Sequence, residues 1–235
     1  MIGFLVIAVA SYLIGSIPSG YLAGRLAGVD IRQQGSGNIG ATNVFRALGK
    51  GWGILAFACD ALKGFIPASV FPLLAKTLWA FDGGAVLPLV CACLAIAGHN
   101  WSVYLRFKGG KGVATSVGAL IGLAPVAAGI GLLTWALVFV ATRYVSLASI
   151  AATIMVAGAV WIFYAQTGIL LPVVLTVLSA LVIWRHKSNI QRLLHGAENR
   201  FEFKKRQEGS GIHGSTVQRL GKSKEKSVTV EPHNR

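Results

Sequence analysis

Residues 113–141 read VATSVGALIGLAPVAAGIGLLTWALVFVA, and whether this uncharged run crosses a membrane once or twice decides the architecture of the chain. It is longer than the ~20 residues one helix needs to cross hydrocarbon. Other apolar runs of spanning length lie at about 3–24, 52–75, 84–105, 145–164 and 168–185. The basic residues fall between them: Arg25, Arg32, Arg46 and Lys50 in one loop, Arg106, Lys108 and Lys111 in another, Arg143 alone, and a dense group from Arg185 onward. Such clusters belong on the cytoplasmic side of a membrane. Loop 25–51 and the C-terminal region share that side only if an even number of crossings separates them. One crossing by 113–141 gives an odd count, whereas two, with a break at Gly122-Leu-Ala-Pro125, give an even one and also bring Arg143 inside. The expectation is therefore an all-α polytopic membrane bundle of seven helices, N-terminus outside and C-terminus inside. The alternative merges or demotes one segment and leaves five. A first arm of 113–123 spans only about 17 Å, which is tolerable where protein or a water-filled cavity surrounds its ends.

Composition agrees with this class. The chain of 235 residues is 54% hydrophobic and 13% charged, where soluble domains carry roughly 25% charged residues. Residues 1–184 hold ten Lys/Arg and three acids, Asp30, Asp60 and Asp82, while 185–235 hold twelve and five. Residues 1–202 are read as the membrane domain and 203–235 as a basic, disordered cytoplasmic tail, too poor in large apolar residues to fold. The net charge of +14 adjoins apolar segments and forms no amphipathic reading surface, which points to anionic headgroups in place of nucleic acid. Cys59, Cys91 and Cys93 lie inside apolar runs and suggest neither a metal site nor a nucleophile. The first apolar run lacks a basic leader and continues past Tyr21, as a first membrane helix does and a cleaved signal does not.

Two glycine-rich polar runs interrupt the hydrocarbon. Gly35-Ser-Gly-Asn-Ile-Gly-Ala-Thr-Asn-Val-Phe-Arg46 gathers Ser36, Asn38, Thr42, Asn43 and Arg46 as donors, with Gly35, Gly37 and Gly40 exposing backbone N–H groups, and Thr42 and Arg46 share one helical face. Arg106-Phe-Lys-Gly-Gly-Lys-Gly-Val-Ala-Thr115 offers Lys111 among Gly109, Gly110 and Gly112, with Thr115 behind them and a helix N-terminus facing whatever the loop binds. A nucleotide-binding loop needs Ser or Thr after Lys111, and Gly112 stands there. Both runs suit phosphate groups at a membrane surface. On the same side lie Arg143 and Ser146, the latter open to reading as a helix cap or a ligand, and His186, Asn189 and Arg192 on a surface helix after the last span. His99, within a span, is read as a functional group or as a hydrogen bond fixing the second loop. Asp60 and Lys63, three apart, are read as a mutually neutralising pair.

These residues together resemble the PlsY family of bacterial membrane acyltransferases. The resemblance rests on Ser16-Ile-Pro-Ser19, the two glycine-rich runs, Asp60-Ala-Leu-Lys-Gly64, Gly98-His99, Arg143-Tyr-Val-Ser146 and His186-Lys-Ser-Asn189-Ile-Gln-Arg192, and covers residues 1 to about 200. It implies a seven-helix fold in the bacterial inner membrane with its active site facing the cytoplasm. It further implies transfer of an acyl group from acyl phosphate to glycerol 3-phosphate, no metal or nucleotide cofactor, and PlsX as the partner enzyme that supplies acyl phosphate. Two features depart from the family: Ser102 stands where proline is expected, softening the approach to the loop, and the tail is longer.

The residues fit that chemistry. Acyl phosphate is already activated, so positioning and charge neutralisation matter more than a strong nucleophile. Neither His99 nor His186 is followed five positions later by Asp, so the His-x4-Asp base of other acyltransferases is missing. Lys111, Arg46, Ser36, His186 and Asn189 are assigned to gripping glycerol 3-phosphate. Backbone N–H groups of Gly35–Asn38 and Gly109–Gly112, with Gly40, Thr42, Asn43, Thr115 and Ser146, are assigned to the transferring and leaving groups, and His99, Asp60, Lys63 and Arg143 support them. A transporter of phosphorylated metabolites would want its site near the midplane, and a lipid-binding scaffold would not need a second anion loop.

Overall fold

The computed structural model describes residues 2–201, and every regular element among them is helical. The tail assigned to 203–235 lies outside the described residues. Apolar runs become helices because hydrocarbon offers the backbone no other partners. The order is α1 Ile2–Ser16, α2 Ser19–Leu26, α3 Ala41–Leu48, α4 Lys50–Phe65, α5 Phe71–Trp79, α6 Val86–Asn100, α7 Val113–Leu123, α8 Pro125–Thr142, α9 Val145–Tyr164, α10 Leu170–Arg185 and α11 Lys187–Leu194. A π-helical turn, Ile66–Val70, joins α4 to α5 around Pro67, so that 50–79 runs as one helical rod.

The stretches 50–79, 86–105, 125–142 and 145–167 are each long and apolar enough to cross a membrane. The pairs α1/α2, bent by 43°, and α10/α11, bent by 54°, qualify as broken spans, and α7 is a short apolar helix. The break expected before Pro125 falls at Ala124, where the backbone leaves the helical region. The proline ring and its missing N–H begin a new helix more readily than they continue an old one.

The expected single span 3–24 is in fact broken at Ile17-Pro18. Pro18 cannot donate, and the break takes the Ser16 and Ile17 carbonyls out of the helical ladder, leaving Ile17 O a single backbone bond from Ser19 N at 3.1 Å. Ser102 Oγ donates to Ser16 O at 2.6 Å and Lys63 Nζ to Ile17 O at 2.7 Å. Neighbouring helices thus restore what the break removes. Ser102 accordingly ties the approach to the second loop onto the broken span, and its carbonyl also accepts from Phe107 N at 2.7 Å. This corrects the expectation that a serine there softens that approach.

Small residues let the helices meet closely. α1 lies along α6, α4 along α7, and α9 along both α8 and α10. At the α1/α6 crossing Gly15 and Gly98 each face the other helix's backbone so closely that any side chain would strike it. The interior is built largely of alanine and valine, as in the group Ala124, Ala127, Val156, Ala159, Val160 and Leu175. Large apolar side chains such as Leu133, Leu137, Val140 and Ile162 point outward, as a lipid-facing surface requires. A second buried group, Ala23, Ile31, Ile39, Val44 and Ala56, with Leu105 against it, seats the first glycine-rich loop.

Candidate active site

The first loop is shaped by Asn43. Its Nδ2 donates to Ile31 O and Gln34 O at 3.1 and 2.9 Å, and its Oδ1 accepts from Ser36 N at 3.0 Å. The amide the sequence offered to a ligand is thereby committed to the loop itself. Asn38 Oδ1 accepts from Gly40 N at 3.1 Å, turning the chain into α3. Gly35, Ser36 and Gly37 are exposed at the loop tip, and α3 carries Thr42 and Arg46 on one face, as their spacing requires.

The second loop is held from both sides. Gly110 N donates to His99 O at 3.0 Å, and a side chain at Gly110 would collide with the His99 ring. Arg185 donates to Gly110 O through Nε at 3.1 Å and Nη2 at 2.5 Å, with longer bonds to Gly109 O and Asn100 O at 3.3 Å. Gly112 then caps α7, as its place before Val113 implied. Thr115 and Asn100 are fully buried at this end of α7, and neither their hydroxyl nor their amide has a hydrogen-bond partner among the described residues. Beneath the loop, Asp60 Oδ1 lies 2.7 Å from Lys63 Nζ and 3.7 Å from His99 Nδ1, the carboxylate and ammonium being 2% and 5% exposed. The pair that the spacing suggested therefore forms, and it sits under the loop.

Lys111 meets the C-terminal elements. Its Nζ donates to Asn189 Oδ1, Asn189 Nδ2 donates to Glu198 Oε1 at 2.7 Å, and Ser146 Oγ donates to the same oxygen at 2.8 Å. Arg192 Nε closes on Glu198 Oε2 at 2.7 Å. Arg46 Nη2 donates to Asn199 O at 3.1 Å. Of the predicted residues, Lys111, Asn189, Ser146 and Arg46 are thus joined through one segment, while Ser36 stands outside that network. Ser146 is not the helix cap, since Tyr144 occupies that position. Arg143 enters the same segment by its carbonyl, which accepts from Phe201 N at 2.8 Å. The Phe201 ring is wedged between Phe45 and Phe139, with centroids at 5.1 and 5.4 Å.

His186 is buried, and its Nδ1 lies 2.8 Å from Val182 O. A carbonyl only accepts, so Nδ1 carries the proton and Nε2 of the neutral ring is an acceptor. Burial, assisted by the Lys111 charge, lowers its pKa to about 4. Burial likewise brings Lys111 down to about 8, against the pull of Glu198. For Glu198, burial acts to raise the pKa, but bonds from Asn189, Ser146 and Arg192 outweigh it and hold the carboxyl below its usual range.

Sequence reasoning missed Arg185, Asn100 and Glu198. Arg185 looked like ordinary cytoplasmic charge. Glu198 had a partial signal: Gly196, in the left-handed conformation at φ 66°, ends α11, and the acid just beyond that stop stands in an otherwise basic stretch.

The protein-family model described as glycerol-3-phosphate acyltransferase matches residues 5–196. A glycerol-3-phosphate acyltransferase of Desulforudis audaxviator is 46% identical over 198 residues, covering 83% of this chain and 94% of that one. The Aquifex aeolicus enzyme of the same name is 44% identical over 197 residues, covering 84% and 98%. Among solved structures, PlsY, an integral membrane glycerol 3-phosphate acyltransferase, matches in its glycerol 3-phosphate form with a TM-score of 0.76 at 44% identity, over 85% of this chain and 96% of that one. Its lysophosphatidic acid form matches with a TM-score of 0.73 at 43% identity, over 85% and 95%. With the helical membrane architecture, the paired glycine-rich loops and a match that runs nearly the full described length, the chain belongs to the glycerol-3-phosphate acyltransferase family.

Proposed function

We propose that this protein moves a fatty acyl group from acyl phosphate to glycerol 3-phosphate, giving lysophosphatidic acid and inorganic phosphate, the first acylation of phospholipid synthesis. It does so at the cytoplasmic face of a bacterial inner membrane, with seven crossings and the N-terminus outside, and PlsX supplies its donor. The observation that carries the reading is the convergence of Lys111, Asn189 and Arg46 beside a glycine-rich loop at the start of α7, a cationic site built for a small phosphate ester.

Glycerol 3-phosphate is gripped by Lys111, Arg46, Ser36 and the remaining N–H of Asn189. His186 Nε2, being an acceptor, receives a hydrogen bond from a glycerol hydroxyl and orients it. With its pKa near 4, His186 is too weak a base to take the proton at neutral pH, so a phosphate oxygen of the substrates takes it. The hydroxyl oxygen bonds to the acyl carbonyl carbon, the bond from that carbon to the phosphate oxygen breaks, and phosphate leaves with the electron pair. N–H groups of the two loops and Thr115 stabilise the charge on the transferring and leaving groups. The acyl chain lies among apolar spans and enters from the cytoplasmic leaflet.

The test is lysophosphatidate formation by purified protein, without added metal, given glycerol 3-phosphate with acyl phosphate and, separately, with acyl-CoA. Turnover with acyl phosphate alone is expected; none with either donor, in folded protein, overturns the reading. Lys111→Ala is expected to abolish transfer while the protein stays folded, and near-wild-type activity would remove Lys111 from its role.

A further inference from the structure

The side chain of Glu198 is only 5% exposed, yet it comes from the short segment after α11 and reaches into the cationic site. A carboxylate can only accept hydrogen bonds. Because Glu198 Oε1 takes Nδ2 of Asn189, the amide must turn its Oδ1 away, and that oxygen is the one Lys111 donates to. Lys111 thereby uses one of its three N–H bonds and keeps two for a phosphate. Ser146 gives its single proton to the same oxygen, and Arg192 is held by Oε2.

We propose that Glu198 is a positioning residue for acyl transfer: its carboxylate sets the orientation of Asn189 and counterbalances the surrounding cations, so that Lys111 meets the substrate phosphate as an aimed ammonium. The inference rests on the function proposed above. The charges acting on Lys111 come from every neighbouring element: Arg46 on α3, Arg185 at the end of α10, Arg192 on α11, and Glu198 on the segment beyond. His186 lies close by and is neutral. Glu198 is the one of these that favours the charged amine, and the three arginines oppose it. Replacing Glu198 by a neutral residue therefore makes Lys111 easier to deprotonate, and replacing Arg192 makes it harder.

The experiment is the pH dependence of kcat/KM for glycerol 3-phosphate, which reports ionisations of the free enzyme, in wild type, E198Q, E198D and R192Q, alongside thermal unfolding of each. In E198Q the alkaline fall in kcat/KM is expected to move down by about one pH unit, with KM raised; E198D restores the wild-type limb, and R192Q moves it up. A purely structural glutamate would lower melting temperature and yield in E198Q and leave the limb where it was, which overturns the proposal. If E198Q does not fold, R192Q decides alone, since an unmoved or lowered limb contradicts the charge balance described. Loss of turnover in wild type itself would instead count against the proposed function.

Discussion

Lys111 works at a pKa of about 8, drawn down by burial from an ordinary value of 10.5. The sign follows directly: below pH 8 the amine is charged and can hold a phosphate, and as pH rises through 8 the proton leaves and the grip goes with it. The kcat/KM for glycerol 3-phosphate is therefore expected to be level near pH 7 and to fall about tenfold per unit well above pH 8. Arginine stays charged throughout this range, so Lys111→Arg, though slower, is expected to lose the limb. Steady-state rates from pH 6 to 9.5 check both, and a wild-type profile flat to pH 9.5 would contradict the assignment. The approach of Arg46 to Lys111 could be expected from the sequence, because glycine-rich basic runs have few reasons to interrupt hydrocarbon. Asn43 was misjudged because an amide in a polar loop serves a ligand or the backbone equally well, and only its three bonds decide between them.

Among the elements, the broken first span depends on side chains far away in sequence. Ser102→Ala removes the donor to Ser16 O and is expected to cost about 1–3 kcal/mol. Lys63→Met is more damaging, about 3–5 kcal/mol, because it leaves the Asp60 carboxylate buried without its counter-ion. The double variant Asp60→Asn with Lys63→Met is expected to be more stable than Lys63→Met alone. Equilibrium unfolding in detergent measures all three, and equal losses in the single and double variants would deny the pairing. The break before Pro125 could be read from charge parity together with the proline. The break at Pro18 was passed over, although Pro18 among Ser16, Ser19 and Gly20 is a local signal for one, because 3–24 has the length of a single span; the partners that hold the break stand 46 and 86 residues away. Local pattern reports where a helix is weak; long-range contacts decide whether it is allowed to break.

For the whole molecule, the family match ends at residue 196, and an alignment of about 200 residues spans relatives almost completely. A chain stopped after Glu202 is therefore expected to insert into membranes and to turn over within about twofold of the full protein, because Glu198 and Phe201 already close the site. Stopping the chain after Gly196 is expected to abolish activity. Turnover assays on the two truncations separate the cases. That the chain is an all-helical membrane bundle was legible from composition, since hydrocarbon permits few arrangements; the way the site is closed was not, because it depends on one carboxylate folding back. That closure bears on how the protein is made. The segment that orients Lys111 is the last of the described chain to leave the ribosome, after every apolar run has been handed to the membrane. Under the proposed function, a half-finished polypeptide would carry the two glycine-rich loops but not the carboxylate proposed to aim Lys111, so an unfinished copy stranded in the bilayer would stay inert toward the proposed acyl donor.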